Sequence, residues 1–204
     1  MSFLNDIKTN WLVIGGGVSG IAISEILCRE GKEVILIEKN KKLASETSKG
    51  FHEWMHSGSL YTLVPDKLLT LRYLLGATDD LIEFYGSFER MNLTPLENGL
   101  KINGKGWFND EKIQFKYKVH KLNPIWTSLV SRSINIIDEV SNHDWLRRRA
   151  GSEYGNLKTN FKKWSSNFLK QMKSNKSFYT KESPDFTMNS RVLISDLLES
   201  ALSN

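Results

Sequence analysis

The chain has 204 residues, of which 40% are hydrophobic, 25% charged and 11% aromatic, with only 4 prolines. That composition excludes a disordered tail or a stapled mini-protein, and the length lets roughly 70% of the unfolded surface be buried in one domain, or in two if one is small. A net charge of +5 suits a phosphate-bearing ligand, nucleic acid or an anionic surface without choosing among them. The single cysteine, Cys28, excludes an intrachain disulfide and a Cys-rich zinc site, and points to a reducing, cytoplasmic compartment.

The apolar stretch from Trp11 to Cys28 has the length of a signal core or a short membrane span, but Gly15, Gly16, Gly17 and Gly20 interrupt it and Glu25 charges it. Asp6 cancels Lys8 before it, so the positive flank of a signal peptide is missing. Neither a targeting sequence nor a transmembrane segment is expected. Trp11-Leu12-Val13-Ile14 instead reads as a short buried parallel strand stopped by glycine. The spacing of Ile21, Ile23, Ile26 and Leu27 then predicts a helix ending near Glu30, with Gly31 as its left-handed cap. Val34 to Ile37 reads as a second buried strand, ending at Glu38. Residues 11–38 therefore form a βαβ unit.

Beyond it, Lys39 to Gly58 is polar and reads as loop or short irregular helix. Leu68, Leu71, Leu74, Leu75, Leu81, Ile82 and Tyr85 recur at helical intervals between about Asp66 and Arg90. Residues 91–125 suggest a small antiparallel sheet, with Phe115, Tyr117 and Val119 alternating between polar neighbours. Helical pattern returns from Ile125 to Lys176, where Leu157, Phe161, Trp164, Phe168 and Met172 form a stripe opposite lysines. Ser177 to Asp185, with Pro184, reads as a linker, and Arg191 to Leu202 as a final helix. There is no internal repeat.

Gly15-Gly16-Gly17-Val18-Ser19-Gly20 fits G-x-G-x-x-G directly between strand and helix, the setting in which that motif binds a dinucleotide. Gly15 permits the tight turn, Gly17 the approach of backbone to a pyrophosphate, and Gly20 the close packing of helix on strand. The unbonded N–H groups at the start of the helix meet the phosphate charge. Glu38, at the end of the second strand, stands where an acid accepts hydrogen bonds from the ribose hydroxyls and repels a 2′-phosphate, which disfavours NADP. The motif itself does not separate FAD from NAD.

Ile14 to Gly20, Leu36-Ile37-Glu38-Lys39, Ala44-Ser45-Glu46-Thr47-Ser48 and His56-Ser57-Gly58 together resemble the N-terminus of FAD-dependent oxidoreductases of the D-amino-acid oxidase and glycerol-3-phosphate dehydrogenase type. The resemblance is strong over residues 10–62 and faint afterwards. It implies an α/β fold: a Rossmann-like FAD/NAD(P)-binding βαβ unit in residues 1–62, an inserted α+β cap or substrate region in 63–185, and a helix returning to the FAD-binding domain in 186–204. It implies FAD as cofactor, with Gly15, Gly17, Val18, Ser19 and Gly20 at the pyrophosphate, Glu38 at the adenosine ribose and Lys39 beside the adenine. Thr47 and Ser48 add phosphate donors, and His56 and Gly58 pass near the flavin ring. Read from the residues alone, Thr47 or Ser48 is equally a helix N-cap and His56 a packed loop histidine. No catalytic residue is assigned.

The activity implied is hydride transfer from an amine- or hydroxyl-bearing carbon of a small substrate to flavin. In the resembling family further strands follow the last helix, so the expectation is a portion of such a protein, either truncated or completed by a second polypeptide. The alternative is a non-catalytic remnant of the nucleotide fold or a partner-dependent subunit. Arg147-Arg148-Arg149 beside Trp145, with the lysine face of 157–173, raises a third class, a basic nucleic-acid-binding module. Without a nucleic-acid fold signature a solvated helix face is the better reading, and no specific nucleic-acid partner is expected. His52, His56, His120 and His143 lack metal-ligand spacing, so no metal is expected.

Overall fold

The structure, a computed structural model, describes residues 7–50, 53–56, 58–64, 66, 69–96, 99–111, 113–118, 123–142, 178–183 and 185–204. They divide into two units, Met1–Glu53 with Asn189–Asn204, and Trp54–Met188.

In the first unit, β1 (Trp11–Ile14) and β2 (Val34–Ile37) pair in parallel, with Trp11 opposite Val34 and Ile14 opposite Ile37. The crossover is α1 (Val18–Arg29). A crossover of this kind seats its helix on the sheet, and the seat here depends on Gly20: a β-carbon at that position would lie 1.9 Å from the Gly15 carbonyl oxygen. The helix ends in a Schellman pair, the Gly31 N–H donating to the Cys28 carbonyl at 2.8 Å and the Lys32 N–H to the Leu27 carbonyl at 2.9 Å. A short helix, α2 (Thr47–Gly50), follows β2.

The last helix of the chain, α5 (Ser190–Ser203), is capped by the Asn189 side chain, which accepts from the Val192 N–H, and it packs on α1. Ile21, Leu193 and Leu197 are buried in this unit. So is Glu25, whose carboxylate receives the Ser200 hydroxyl at 2.9 Å and the Arg29 guanidinium at 3.2 Å, which compensates its removal from water. The sequence reading of β1 as a buried strand needs correction. Trp11, Leu12 and Ile14 are 46%, 53% and 80% exposed, because β1 has one strand neighbour among the described residues.

The second unit mixes helices with small antiparallel sheets. β3 (Trp54–Met55) leads into a 3-10 helix (Ser59–Leu63) and α3 (Leu69–Tyr85). A hairpin of β4 (Leu93–Leu96) and β5 (Gly99–Ile102) precedes β6 (Phe108–Asn109), β7 (Gln114–Lys118) and α4 (Pro124–Asn142). The stretch expected to be a linker contains β8 (Phe178–Glu182), paired antiparallel with β7, and just after that stretch comes β9 (Phe186–Met188), which lies between β3 and β6. The strand pattern shows in the buried Tyr179 beside the exposed Thr180, and the charges at Lys181 and Glu182 hide it from a composition reading. Tyr117 and Tyr179, from β7 and β8, pack on Val130, Ile134 and Ile137 of α4.

That core holds a chain of hydroxyls. Thr62 donates to the Ser59 carbonyl at 2.8 Å, and its oxygen lies 2.5 Å from Ser133 Oγ, which lies 2.9 Å from the Tyr117 hydroxyl. A hydroxyl has one proton to give. Ser133 therefore donates to Thr62, and Tyr117 to Ser133. Burial pushes the Tyr117 phenol above its ordinary pKa, which keeps it a donor. Trp145, Arg147 to Arg149 and the expected lysine-faced helix of 157–173 lie outside the described residues, as do His52, His120 and His143. Among the described residues no helix is long and apolar enough to cross a membrane.

Candidate functional site

Above the C-terminal ends of β1 and β2 the first unit opens a cavity of about 400 Å3, within the usual range for a small-molecule site. Three stretches of chain build it: the glycine turn, the end of β2 with Lys39 and Asn40, and the loop from Ala44 to Ser48. The Gly15 N–H donates to the Ile37 carbonyl at 2.7 Å and the Ala44 N–H to the Gly16 carbonyl at 2.7 Å, so the turn is tied to both of its neighbours. Gly15 itself has a φ of 104°, the region that the tight strand-to-helix turn demands and that glycine reaches without cost.

Glu38 organises the floor. One carboxylate oxygen accepts the Gly16 N–H at 2.7 Å and the other accepts the Asn40 N–H at 2.8 Å. These bonds, first Asn40's and then Gly16's, hold the carboxyl below its ordinary pKa. An ionised carboxylate has about four acceptor positions. With two taken, each oxygen keeps one for a further donor.

At the start of α1 the helix geometry leaves the first N–H groups without an intrahelical partner. The Ser48 hydroxyl takes one of them, accepting from Val18 at 3.0 Å. Among the described residues no side chain or carbonyl takes those of Ser19 and Gly20. Having accepted, the Ser48 oxygen still has its own proton to donate. Ser48 thus acts as a capping hydroxyl, but for α1 and not for the short helix on which it sits. Thr47 lines the same cavity.

Lys39 also lines it, in an ion pair with Glu46 at 2.9 Å; Asn40 Nδ2 donates to the same carboxylate at 3.1 Å. The shared bond raises the Lys39 pKa and lowers that of Glu46. Asn40 was absent from the sequence reading. Its signal was only its place after Glu38-Lys39, where a backbone N–H turns back on the preceding carboxylate. Of the remaining predicted residues, His56 and Gly58 belong to the second unit and do not line this cavity. Gly58 caps the 3-10 helix at a φ of 91°, and a β-carbon there would meet Leu71 at 2.8 Å, so packing by α3 accounts for its glycine. His56 Nδ1 lies 3.7 Å from an oxygen of the buried Asp185. Ser57 is outside the described residues.

The cavity combines exposed helix N–H groups, a carboxylate with acceptor positions to spare and a backbone without side chains over the turn. Such a donor and acceptor set fits a diphosphate and a ribose, the two groups that any adenine dinucleotide brings. Comparison with curated proteins yields no match. Compared with known protein families, the chain matches the one described as FAD dependent oxidoreductase over residues 10–154, well over half of its 204 residues. The family's cofactor is FAD and its fold is the Rossmann-like FAD/NAD(P)-binding type. The chain therefore belongs to the FAD-dependent oxidoreductases.

Proposed function

We propose that the cavity of the first unit holds the ADP half of FAD, and that the protein uses the flavin to oxidise a small substrate at an amine- or hydroxyl-bearing carbon. In this reading the N–H groups of Ser19 and Gly20 face the pyrophosphate across the bare backbone of Gly15 and Gly17, Val18 gives its N–H to Ser48, and Ser48 and Thr47 donate hydroxyl protons to the pyrophosphate. Glu38 accepts the two ribose hydroxyls on its remaining positions, and Lys39, paired with Glu46, borders the adenine side. The observation that carries the reading is the Glu38 carboxylate bridging the Gly16 and Asn40 N–H groups at 2.7 and 2.8 Å, since this holds the acid at the cavity before any ligand arrives and leaves each oxygen one acceptor position for the ribose hydroxyls of this reading.

Bound flavin supplies the two-electron acceptor, and the protein's part is to bind, orient and enclose. We assign the second unit to substrate binding, and take the lone Cys28 as fitting a reducing cytoplasmic compartment. The test is spectroscopic: the purified chain should be yellow, or turn flavin-bound on addition of FAD, and should bleach with a small 2-hydroxy or 2-amino acid. A chain that stays flavin-free in excess FAD would contradict it.

A second reading is favoured by one observation. β1 and the end of β2 leave Trp11, Leu12, Ile14 and Ile37 between 46% and 80% exposed, an apolar surface of the kind that open parallel sheets bury. In this version a second polypeptide or further protein segment covers that surface, and the chain alone binds flavin without turnover. Flavin retained but never bleached would support it.

A further inference from the structure

The first unit opens a second cavity, of about 550 Å3, which shares Ala44 and Ser48 with the first. Its whole lining belongs to that unit, with the chain from Leu43 to Lys49 and Glu53 on one side and α5 on the other. On α5 the lining residues are Arg191, Ile194, Ser195 and Leu198, whose three- and four-residue spacing puts them on one helix face. The opposite face carries Leu193 and Leu197, which are buried in the unit where α5 packs on α1. The Ser190 hydroxyl donates to the Glu53 carboxylate and so ties the two sides of the cavity together.

Lys49 and Arg191 line this cavity together with Glu53, so two cations stand there against one acid. Glu53 is engaged by Ser190, and among the described residues neither cation lies within ion-pair distance of a carboxylate. Two like charges at one cavity repel, and an anion bound between them turns that repulsion into attraction. One positive charge in excess is balanced by a monoanion. The planar fork of Arg191 suits a carboxylate in particular, which it takes with two parallel N–H donors. Beside the charges, Ile194 and Leu198 are only half-buried and Leu43 is 37% exposed, apolar surface that an aliphatic chain would cover favourably. Neither the glycine turn nor Glu38 lines this cavity, so it lacks the set of groups that suits a ribose and a diphosphate.

We propose that this cavity is a second ligand site, separate from the cofactor cavity, that takes an aliphatic monocarboxylate. The carboxylate sits at Lys49 and Arg191, and the hydrocarbon chain lies on Leu43, Ile194 and Leu198. The Ser195 hydroxyl, on the same face of α5, is a further donor for the carboxylate. The volume is within the usual range for a small-molecule site. Binding here is non-covalent and does not depend on flavin.

The test is a titration of the 15N-labelled full chain with octanoate, read from its amide spectrum, with and without saturating FAD. Octanol presents the same chain without the charge, and inorganic phosphate presents charge without the chain. Octanoate is expected to shift the Lys49, Arg191, Ile194, Ser195 and Leu198 signals saturably, with a Kd of about one millimolar or tighter. Octanol and phosphate should bind at least about tenfold more weakly. Lys49→Gln and Arg191→Gln should each weaken octanoate binding by about three- to tenfold. Ser195→Asp, which sets a negative charge on the same helix face, should weaken it at least as much. All three positions are exposed, and far-UV circular dichroism establishes that each variant is folded. Shifts that do not saturate in the millimolar range, equal binding of octanol or of phosphate, or native affinity in both folded glutamine variants would overturn the proposal. Displacement of octanoate by FAD would overturn it too, because the cavity would then belong to the cofactor. Failure to bind FAD would count against the flavin reading alone, while the octanoate titration would still decide this site.

Discussion

Replacing Gly20 by alanine tests the link between packing and cofactor binding most sharply. The new β-carbon would stand 1.9 Å from the Gly15 carbonyl oxygen and 3.1 Å from its carbon, where ordinary contact begins near 3.4 Å. To relieve this, the first turn of α1 must retreat from the strand by roughly 1.5 Å. Overpacking of this kind costs about 1–3 kcal/mol, which for a chain of this size lowers the melting temperature by roughly 2–12 °C. The retreat also moves the Ser19 and Gly20 N–H groups away from where the proposed function puts the FAD diphosphate. Losing one or two charge-assisted hydrogen bonds weakens FAD binding by about ten- to a hundredfold. Thermal melts followed by circular dichroism give the first number, and quenching of FAD fluorescence on titration gives the second. A variant that melts within about 1 °C of the native chain and binds FAD within about twofold would refute the reasoning, because the structure leaves a β-carbon there no place to go.

Ser48→Ala removes the hydroxyl that caps Val18, and should cost about 1 kcal/mol in melts and weaken FAD binding, whereas Ser48→Thr should retain most of both. Glu38 has a lowered folded-state pKa, so the stability it confers is present above its unfolded value of about 4.3 and is lost as pH falls through the lower folded value. Melting temperature and FAD affinity should therefore both drop on acidification below about pH 4.5, and Glu38→Gln should flatten that dependence. Ser133→Ala takes out the middle of the Thr62–Ser133–Tyr117 hydroxyl chain and should destabilise the second unit by about 1–3 kcal/mol, measured by urea unfolding. Gly58→Ala forces a side chain into a left-handed conformation against Leu71, and should destabilise by about the same amount in that assay.

The βαβ unit was legible because its signals are local. Glycines separate strand from helix, the apolar period changes at Gly20, and Gly31 marks the helix end; each can be read within a few residues. The place of Glu38 at the cavity was legible for the same reason, at the end of a strand whose start the motif had fixed. What escaped the sequence depends on contacts between distant residues. Ser48 looked like the cap of its own helix because nothing local ties it to Val18, thirty positions earlier. β8 looked like a linker because Lys181 and Glu182 mask an alternation that only pairing with β7 reveals. Asp185 carried no motif at all, and only the pairing of β3 with β9 brings it to His56. Gly58 was legible as a special position, but its reason, the approach of Leu71, lies on a helix that follows it. Exposure of β1 could not be read either, since an apolar run says what a strand prefers and not what neighbours it has.

The central claim is that the glycine turn, Glu38 and the Ala44–Ser48 loop form a cradle for the ADP half of FAD. Its most direct test is the amide spectrum of the 15N-labelled chain on addition of FAD, with riboflavin as the ligand that lacks that half. FAD is expected to shift the signals of Gly17, Ser19, Gly20, Asn40 and Ser48, and riboflavin to leave them in place. Equal shifts with riboflavin, or FAD-induced shifts that miss the glycine turn altogether, would contradict it.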